Sequence, residues 1–134
     1  MKLPLHPMFV HFPIAFCVLE FFFLILWFFK KEPAYLRFAR IVFGLTFVSI
    51  GLAMIAGFRD AGGLKGIHGE TREHAVLALG FLGVYFLRSF LWRFGKKENR
   101  VSRLVLLGGA FIGLILVAVT GYLGGELVFS GAHY

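Results

Sequence analysis

Four long apolar runs, separated by short polar segments, dominate the hydrophobic pattern of the chain. The runs extend from about 7 to 29, 41 to 58, 72 to 92 and 101 to 123. A helix rises about 1.5 Å per residue, so roughly 20 apolar residues cross the hydrocarbon core of a bilayer, which is about 30 Å thick. The pattern therefore predicts an all-α membrane protein, in which residues 1–134 form a single domain and four transmembrane helices make an antiparallel bundle.

The composition supports a membrane location. Of 134 residues, 59% are hydrophobic and 16% are charged, and a soluble domain of this size could not bury so much apolar surface. The net charge of +7 does not predict nucleic-acid binding here, because the basic residues lie between the apolar runs. Lysine and arginine concentrate in the first and third loops, so we expect these loops in the cytoplasm and both termini outside. The lipid bilayer is thus the first predicted partner.

All five histidines fall on the predicted outer side of the membrane. His6 and His11 precede or open the first run, and His74 lies in the first turn of the third run. Polar residues at the mouth of a span are costly to bury and usually have a function. His68 lies in the second loop, and His133 lies in the tail, where we expect it to be solvated.

An internal similarity relates the two halves of the chain. When the chain is shifted by 63 positions, His11 aligns with His74, and Lys30 aligns with Arg93. The shift is consistent with two repeated helical hairpins related by an axis along the membrane normal. In such an arrangement His11 and His74 lie at equivalent depths and face each other across the bundle.

Two imidazoles from separate helices can ligate the iron of a b-type haem. Each nitrogen lies about 2 Å from the metal, so the facing nitrogens stand about 4 Å apart. We predict that His11 and His74 are the axial ligands of haem b. His6 is predicted to be a supporting group or an alternative ligand, and Arg59 and Arg72 to pair with the haem propionates.

The same histidines leave two alternatives open. His6, His11, His68 and His74 could form a Zn or Cu site, since imidazole suits those metals, although the sequence has no HExxH or CxxC motif. Each histidine could instead be an interfacial polar residue that hydrogen-bonds to water or to backbone carbonyls.

Glu20 is the second polar anomaly, because it lies in the middle of the first run. A carboxylate at that depth is expected to be protonated or paired. Its function could be a proton relay, or a hydrogen bond to a neighbouring helix through Thr46, Ser49 or Thr120. Arg88, in the third run, is expected to extend its side chain to the inner surface.

Small residues line runs two and four, and Gly109 and Gly113 form a GxxxG pattern. Such faces let helices approach closely. A cofactor-free anchor or assembly subunit of a redox complex, or a homo-oligomer, is therefore the second hypothesis. The third is a small transporter of protons or metal ions that uses Glu20 and the outer histidines. The sequence thus favours an electron carrier or a redox-complex subunit over a stand-alone enzyme.

Two segments carry a resemblance to a known family. The segment His6–Ala15, HPMFVHFPIA, resembles the HPxxVHFPIA opening of the bacterial domain-of-unknown-function-2231 family of four-span membrane proteins. The segment Thr120–Phe129, TGYLGGELVF, is similar to the closing TGxxGGxLVY stretch of that family. Glu20 resembles its acidic position, which is usually Asp, and His74 resembles its third-helix histidine.

The resemblance has implications for function. Relatives of the family occur fused to Rieske-type iron–sulfur or c-type cytochrome domains, which implies electron transfer at the outer face of the bacterial inner membrane. Together with the histidines, it leads to the hypothesis of a b-type cytochrome that passes electrons between a quinone pool and an outer-face redox protein.

Overall fold

The computed structural model describes residues 5–95 and 99–129, and this part of the chain contains helices and no strand. Its elements are α1 (His6–Phe9), α2 (His11–Lys30), α3 (Pro33–Asp60), a short 3-10 turn (Leu64–Gly66), α4 (Gly69–Phe94) and α5 (Arg100–Phe129). Taking α1 and α2 as one span, four helical segments are long and apolar enough to cross a membrane. The predicted all-helical fold with four spans is confirmed. His133, predicted to be solvated, lies outside the described residues.

The first connection is much shorter than the apolar runs predict. Lys31 ends α2 in the left-handed conformation, with φ 59°, and Pro33 occupies the first turn of α3. Proline is favoured at that position because its fixed φ suits a helix and its missing N–H would have no partner there. Helix α3 therefore begins at Pro33 rather than near Ile41, and most of the predicted first loop is helical.

The first span is interrupted at Val10, between α1 and α2. Pro13 explains the break, because its ring lacks a donor and clashes with the carbonyl of the residue four positions earlier, Phe9. The short α1 is fixed to the end of α3, since the backbone N–H of His6 donates to Oδ2 of Asp60 over 2.8 Å. His6 thus belongs to a separate turn that is held against α3.

Helix α2 packs against α3 and α5, and α4 packs against the same two helices. Helices α2 and α4 are consequently diagonal neighbours in the bundle. Aromatic rings fill the centre, where Phe43 stacks on Tyr85 with ring centroids 5.3 Å apart and lies 5.7 Å from Trp92. These contacts connect α3 with α4 across the core.

The GxxxG face of α5 is used inside the bundle. A Cβ atom added to Gly109 would lie 3.0 Å from Cδ of Arg88, and one added to Gly113 would lie 3.1 Å from Cε2 of Tyr85. The two glycines therefore make room for the large side chains of α4. Binding of partner helices through small-residue faces stays a prediction.

We expect Gly109→Val to lower the free energy of unfolding by about 1–3 kcal/mol, because the added methyl groups overpack the contact with Arg88. Gly108→Val is the matched control, since a Cβ at Gly108 has no atom within 4 Å. Thermal unfolding in detergent micelles measures both. Equal midpoints for the two variants would contradict the packing described here.

Burial repeats along the chain, but not in the register of 63 positions. Five of the six buried residues of the first span, the exception being Trp27, correspond 68 positions later to the buried residues of α4; the pairs join His6, Pro13, Cys17, Glu20 and Leu24 to His74, Phe81, Tyr85, Arg88 and Trp92. With a shift of 67, the buried residues Ala39, Phe43, Thr46, Ile50 and Ala53 of α3 correspond to Leu106, Ala110, Gly113, Val117 and Thr120 of α5.

The two hairpins therefore share a pattern of buried positions, in which His6 corresponds to His74. The alignment of His11 with His74 does not fit this burial pattern. It rested on apolar matches that any two spans share and on charged loops that are set by membrane topology.

Candidate functional site

The site lies at the end of the bundle where α1 and α4 begin, which we call the histidine end. There the structure brings His6 and His74 together, with ring centroids 5.4 Å apart and planes inclined by 85°. Each residue is only 9% exposed. Two imidazoles from separate spans thus meet inside the bundle.

The ring of His6 is fixed by α3. Its Nδ1 lies 2.8 Å from the carbonyl oxygen of Ala53, and a carbonyl accepts only, so we assign the proton to Nδ1. The neutral ring then carries its lone pair on Nε2. A Cβ at Gly57 would lie 2.8 Å from the same Nδ1, so this hydrogen bond depends on the absence of a side chain at Gly57.

The ring of His74 packs against α5. It lies against the backbone of Thr120, and a Cβ at Gly124 would lie 2.9 Å from its Cε1 atom. Its Nδ1 atom is buried, and the backbone of Thr120 is the polar group beside the ring.

The supports of the two rings are equivalent under the structural repeat. Ala53 corresponds to Thr120 and Gly57 to Gly124, both with the shift of 67. Among the buried pairs given above, the histidines are the one pair with identical residues. The two hairpins have thus kept the same chemistry at the histidine end and different chemistry elsewhere in the core.

A cavity of about 370 Å³ surrounds the two rings. All four spans contribute to its walls, which are apolar apart from the histidines and Thr120; Ile14, Phe81 and Val117 are among the wall residues. The volume falls within the range of about 300–1,000 Å³ that is typical of small-molecule and cofactor sites.

His11 lies at the same cavity but in a different environment. It is exposed, and its Nδ1 lies 2.7 Å from the carbonyl oxygen of Pro7. The ring that contacts His74 is that of His6 and not that of His11. Residues five positions apart point about 140° away from each other around a helix, so one span cannot easily direct both rings at His74.

Arg59 and Arg72, predicted to pair with propionates, are exposed residues of the last turn of α3 and the first turn of α4. Both therefore lie at the histidine end. Neither lines the cavity.

A second buried polar cluster lies in the middle of the bundle and joins the diagonal helices. Glu20 is 0% exposed and forms an ion pair with Arg88, which is 2% exposed. Arg88 donates from Nη2 to one carboxylate oxygen and from Nη1 to the other, the latter over 3.3 Å. Tyr85 donates its hydroxyl to Oε2 of Glu20 over 2.7 Å and lies 3.3 Å from Sγ of Cys17.

The partner of Glu20 is thus Arg88, and two predictions were wrong. Arg88 does not extend to the inner surface, because Glu20 and the neighbouring aromatic rings enclose its guanidinium. The hydroxyls of Thr46, Ser49 and Thr120 donate to backbone carbonyls of their own helices, so they do not serve Glu20.

Sequence reasoning missed Arg88 as the partner of Glu20, and it missed Gly57 and Gly124. One signal could have found the first, because Glu20 follows His6 by the same 14 positions that separate Arg88 from His74. No pattern distinguished the two glycines from the other glycines in the chain.

The described residues bring two imidazoles together, and among them no group of three or more His, Cys, Asp or Glu side chains could hold a metal ion. A bare zinc ion takes three or four protein ligands. The four-histidine arrangement considered for Zn or Cu is not assembled in this part of the chain.

Comparison with known proteins gives a family and no closer relative. Residues 2–133 match the family model described as "Predicted membrane protein (DUF2231)". No curated protein and no solved structure matches the chain. The match extends over nearly the whole sequence and includes both resembling segments, so the chain belongs to the DUF2231 family of predicted membrane proteins.

Proposed function

We propose that this protein is a membrane-embedded b-type haem protein for electron transfer at the outer face of the membrane, and that His6 and His74 are the axial ligands. One observation carries the proposal. Two buried imidazoles, equivalent in the two hairpins, meet with ring centroids 5.4 Å apart in an apolar cavity.

The donor set suits haem better than a bare metal ion. A haem supplies four equatorial nitrogens of its own and needs two axial ligands, whereas zinc in a structural site takes four ligands from the protein. His6 and His74 match the first requirement. The apolar walls also suit a macrocycle that is apolar apart from its propionates.

The geometry of the rings supports the same assignment. Nitrogens on opposite sides of one metal stand about 4 Å apart, and the ring centroids lie farther apart than the nitrogens. The centroids of two imidazoles on one metal therefore lie about 6 Å apart, and the observed 5.4 Å is shorter, so the two rings would have to separate to admit an iron. The Nδ1–H of His6 donates to Ala53, which is the type of outer hydrogen bond that orients metal-ligating histidines.

The surrounding residues would orient the ligands and exclude water. Gly57 and Gly124 let the rings lie close to α3 and α5, and Phe81 closes the cavity toward the core. When bound, the haem iron supplies one-electron chemistry. Because the two histidines would occupy both axial positions, the site favours electron transfer over reaction with a substrate.

The distribution of charge supports an outer location for this site. Lysine and arginine cluster at the end of the bundle opposite the histidine end, which favours that basic end in the cytoplasm. Under the proposal both termini are then outside the bacterial inner membrane. A quinone in the bilayer and a Rieske-type or c-type outer-face protein would be the electron donor and acceptor.

An absorption spectrum tests the proposal. The protein, expressed with an adequate haem supply and purified in detergent, is expected to show a Soret band and a sharp α-band on reduction. His6→Ala and His74→Ala should each abolish stable haem retention, because each removes one axial ligand. His68→Ala is the matched control, since His68 is exposed and does not line the cavity.

The expected control result is an unchanged spectrum for His68→Ala. A colourless wild-type protein that binds no added haem would contradict the proposed function. Full retention of the spectrum in both His6→Ala and His74→Ala would contradict the ligand assignment.

A further inference from the structure

His11 marks the mouth of the cavity. It is the one exposed residue among those that line the cavity, whose other walls are buried or half-buried. Because His11 is the most exposed of these residues, we place the exposed edge of a group that fills the cavity next to it.

The exposed edge of a haem b carries its two propionate carboxylates. Carboxylates are costly to place in apolar surroundings unless they are paired or hydrogen-bonded, so they should lie at the mouth rather than against Ile14, Phe81 or Val117. Arg59 and Arg72 were predicted to pair with them, but neither arginine lines the cavity.

The ring of His11 is oriented for such a contact. Its Nδ1 is occupied by the carbonyl oxygen of Pro7 at 2.7 Å, which leaves Nε2 as the free nitrogen. In the protonated ring both nitrogens donate, so Nδ1–H can remain bonded to Pro7 while Nε2–H donates to a carboxylate. A hydrogen bond of this kind is charge-assisted and stronger than one between neutral groups.

We propose that His11 binds a haem propionate at the mouth of the cavity and thereby positions the haem between His6 and His74. The inference rests on the proposed function, and it assigns His11 a positioning role rather than the ligand role that the sequence predicted. The inference is drawn from the position of one exposed imidazole. That ring is anchored through Nδ1 and lies at the rim of an apolar cavity that contains two buried imidazoles.

The test compares haem with its dimethyl ester, in which both carboxylates are esterified and carry no charge. Apoprotein in detergent is titrated with each compound, and the Soret absorbance gives the dissociation constant. For His11→Ala we expect haem to bind about tenfold more weakly, as for loss of a charge-assisted hydrogen bond, with no change in affinity for the ester. His68→Ala, also an exposed histidine, should bind both compounds like the wild type.

The other outcomes overturn the inference in distinguishable ways. Equal weakening of haem and ester by His11→Ala would show that His11 acts through packing. Loss of the six-coordinate spectrum with both compounds would make His11 an axial ligand, and unchanged affinity for both would remove it from the site. If the wild-type protein gives no Soret complex with either compound, the proposed function itself fails.

Discussion

Glu20→Leu is expected to lower the free energy of unfolding by about 3–5 kcal/mol, the range observed when one member of a buried ion pair is removed. The substitution leaves the guanidinium of Arg88 buried in the middle of the bundle without its carboxylate, and it also removes the acceptor of the Tyr85 hydroxyl. Thermal or SDS-induced unfolding in detergent micelles measures the loss. Leu19→Ala is a suitable control, because Leu19 is the adjacent residue and is exposed on the outside of the bundle.

Exchange of the two charges separates the ion pair from other causes of instability. Glu20 and Arg88 occupy equivalent positions in the two hairpins, so the double variant Glu20→Arg, Arg88→Glu places the same two charges on the exchanged helices. Each single substitution buries two like charges, whereas the double variant restores an ion pair. We expect the double variant to be more stable than either single variant, and additive effects would contradict a direct pairing.

Gly57→Val is expected to weaken haem binding more than tenfold without removing a ligand. The new side chain must displace the ring of His6, since even a Cβ would lie 2.8 Å from its Nδ1, and the hydrogen bond to Ala53 is then lost. Loss of such outer hydrogen bonds typically costs 10–100-fold in metal affinity. Titration with haem measures the affinity, and ¹⁵N-resolved NMR of the imidazole N–H of His6 reports the hydrogen bond in the apoprotein.

Gly51→Val controls for the general effect of a larger residue in α3, because a Cβ at Gly51 has no atom within 4 Å. Its haem affinity and its His6 resonance should match those of the wild type. If Gly57→Val kept the N–H resonance, the contact between Gly57 and His6 would be wrong. If it lost the resonance but kept full haem affinity, His6 would not be a ligand.

The fold was predictable because the bilayer constrains it strongly. A span needs about 20 apolar residues and an internally satisfied backbone, so four runs gave four helices. The boundaries were less predictable, since Pro33 and Lys31 shorten the first connection through backbone conformation and not through hydrophobicity.

The candidate site was predictable in residue type but not in pairing. The histidines stood out because imidazoles are costly in an apolar segment, and His74 is in the cavity as expected. The choice between His6 and His11 depended on the direction of each side chain, which the break at Val10 and the contact with Asp60 help to determine. Those features arise from the packing of α1 against α3. An alignment of the two halves of the sequence contains no information about that packing.

The partner of Glu20 was also not predictable from the sequence. The depth of Glu20 correctly indicated a paired carboxylate, but the partner lies on the diagonal helix α4, where Arg88 was assumed to reach the membrane surface. The space for that partner comes from Gly109 on a third helix, α5. The ion pair depends on residues of three helices, so the sequence pattern of no single helix predicts it.

Opposite charges at equivalent positions also restrict how such a protein could assemble from separate halves. Two copies of the first hairpin would oppose one carboxylate with another, and two copies of the second would oppose two guanidiniums. Each hairpin would therefore pair poorly with a second copy of itself and well with the other hairpin. Because one polypeptide contains both halves, the carboxylate and the guanidinium are always present in equal numbers.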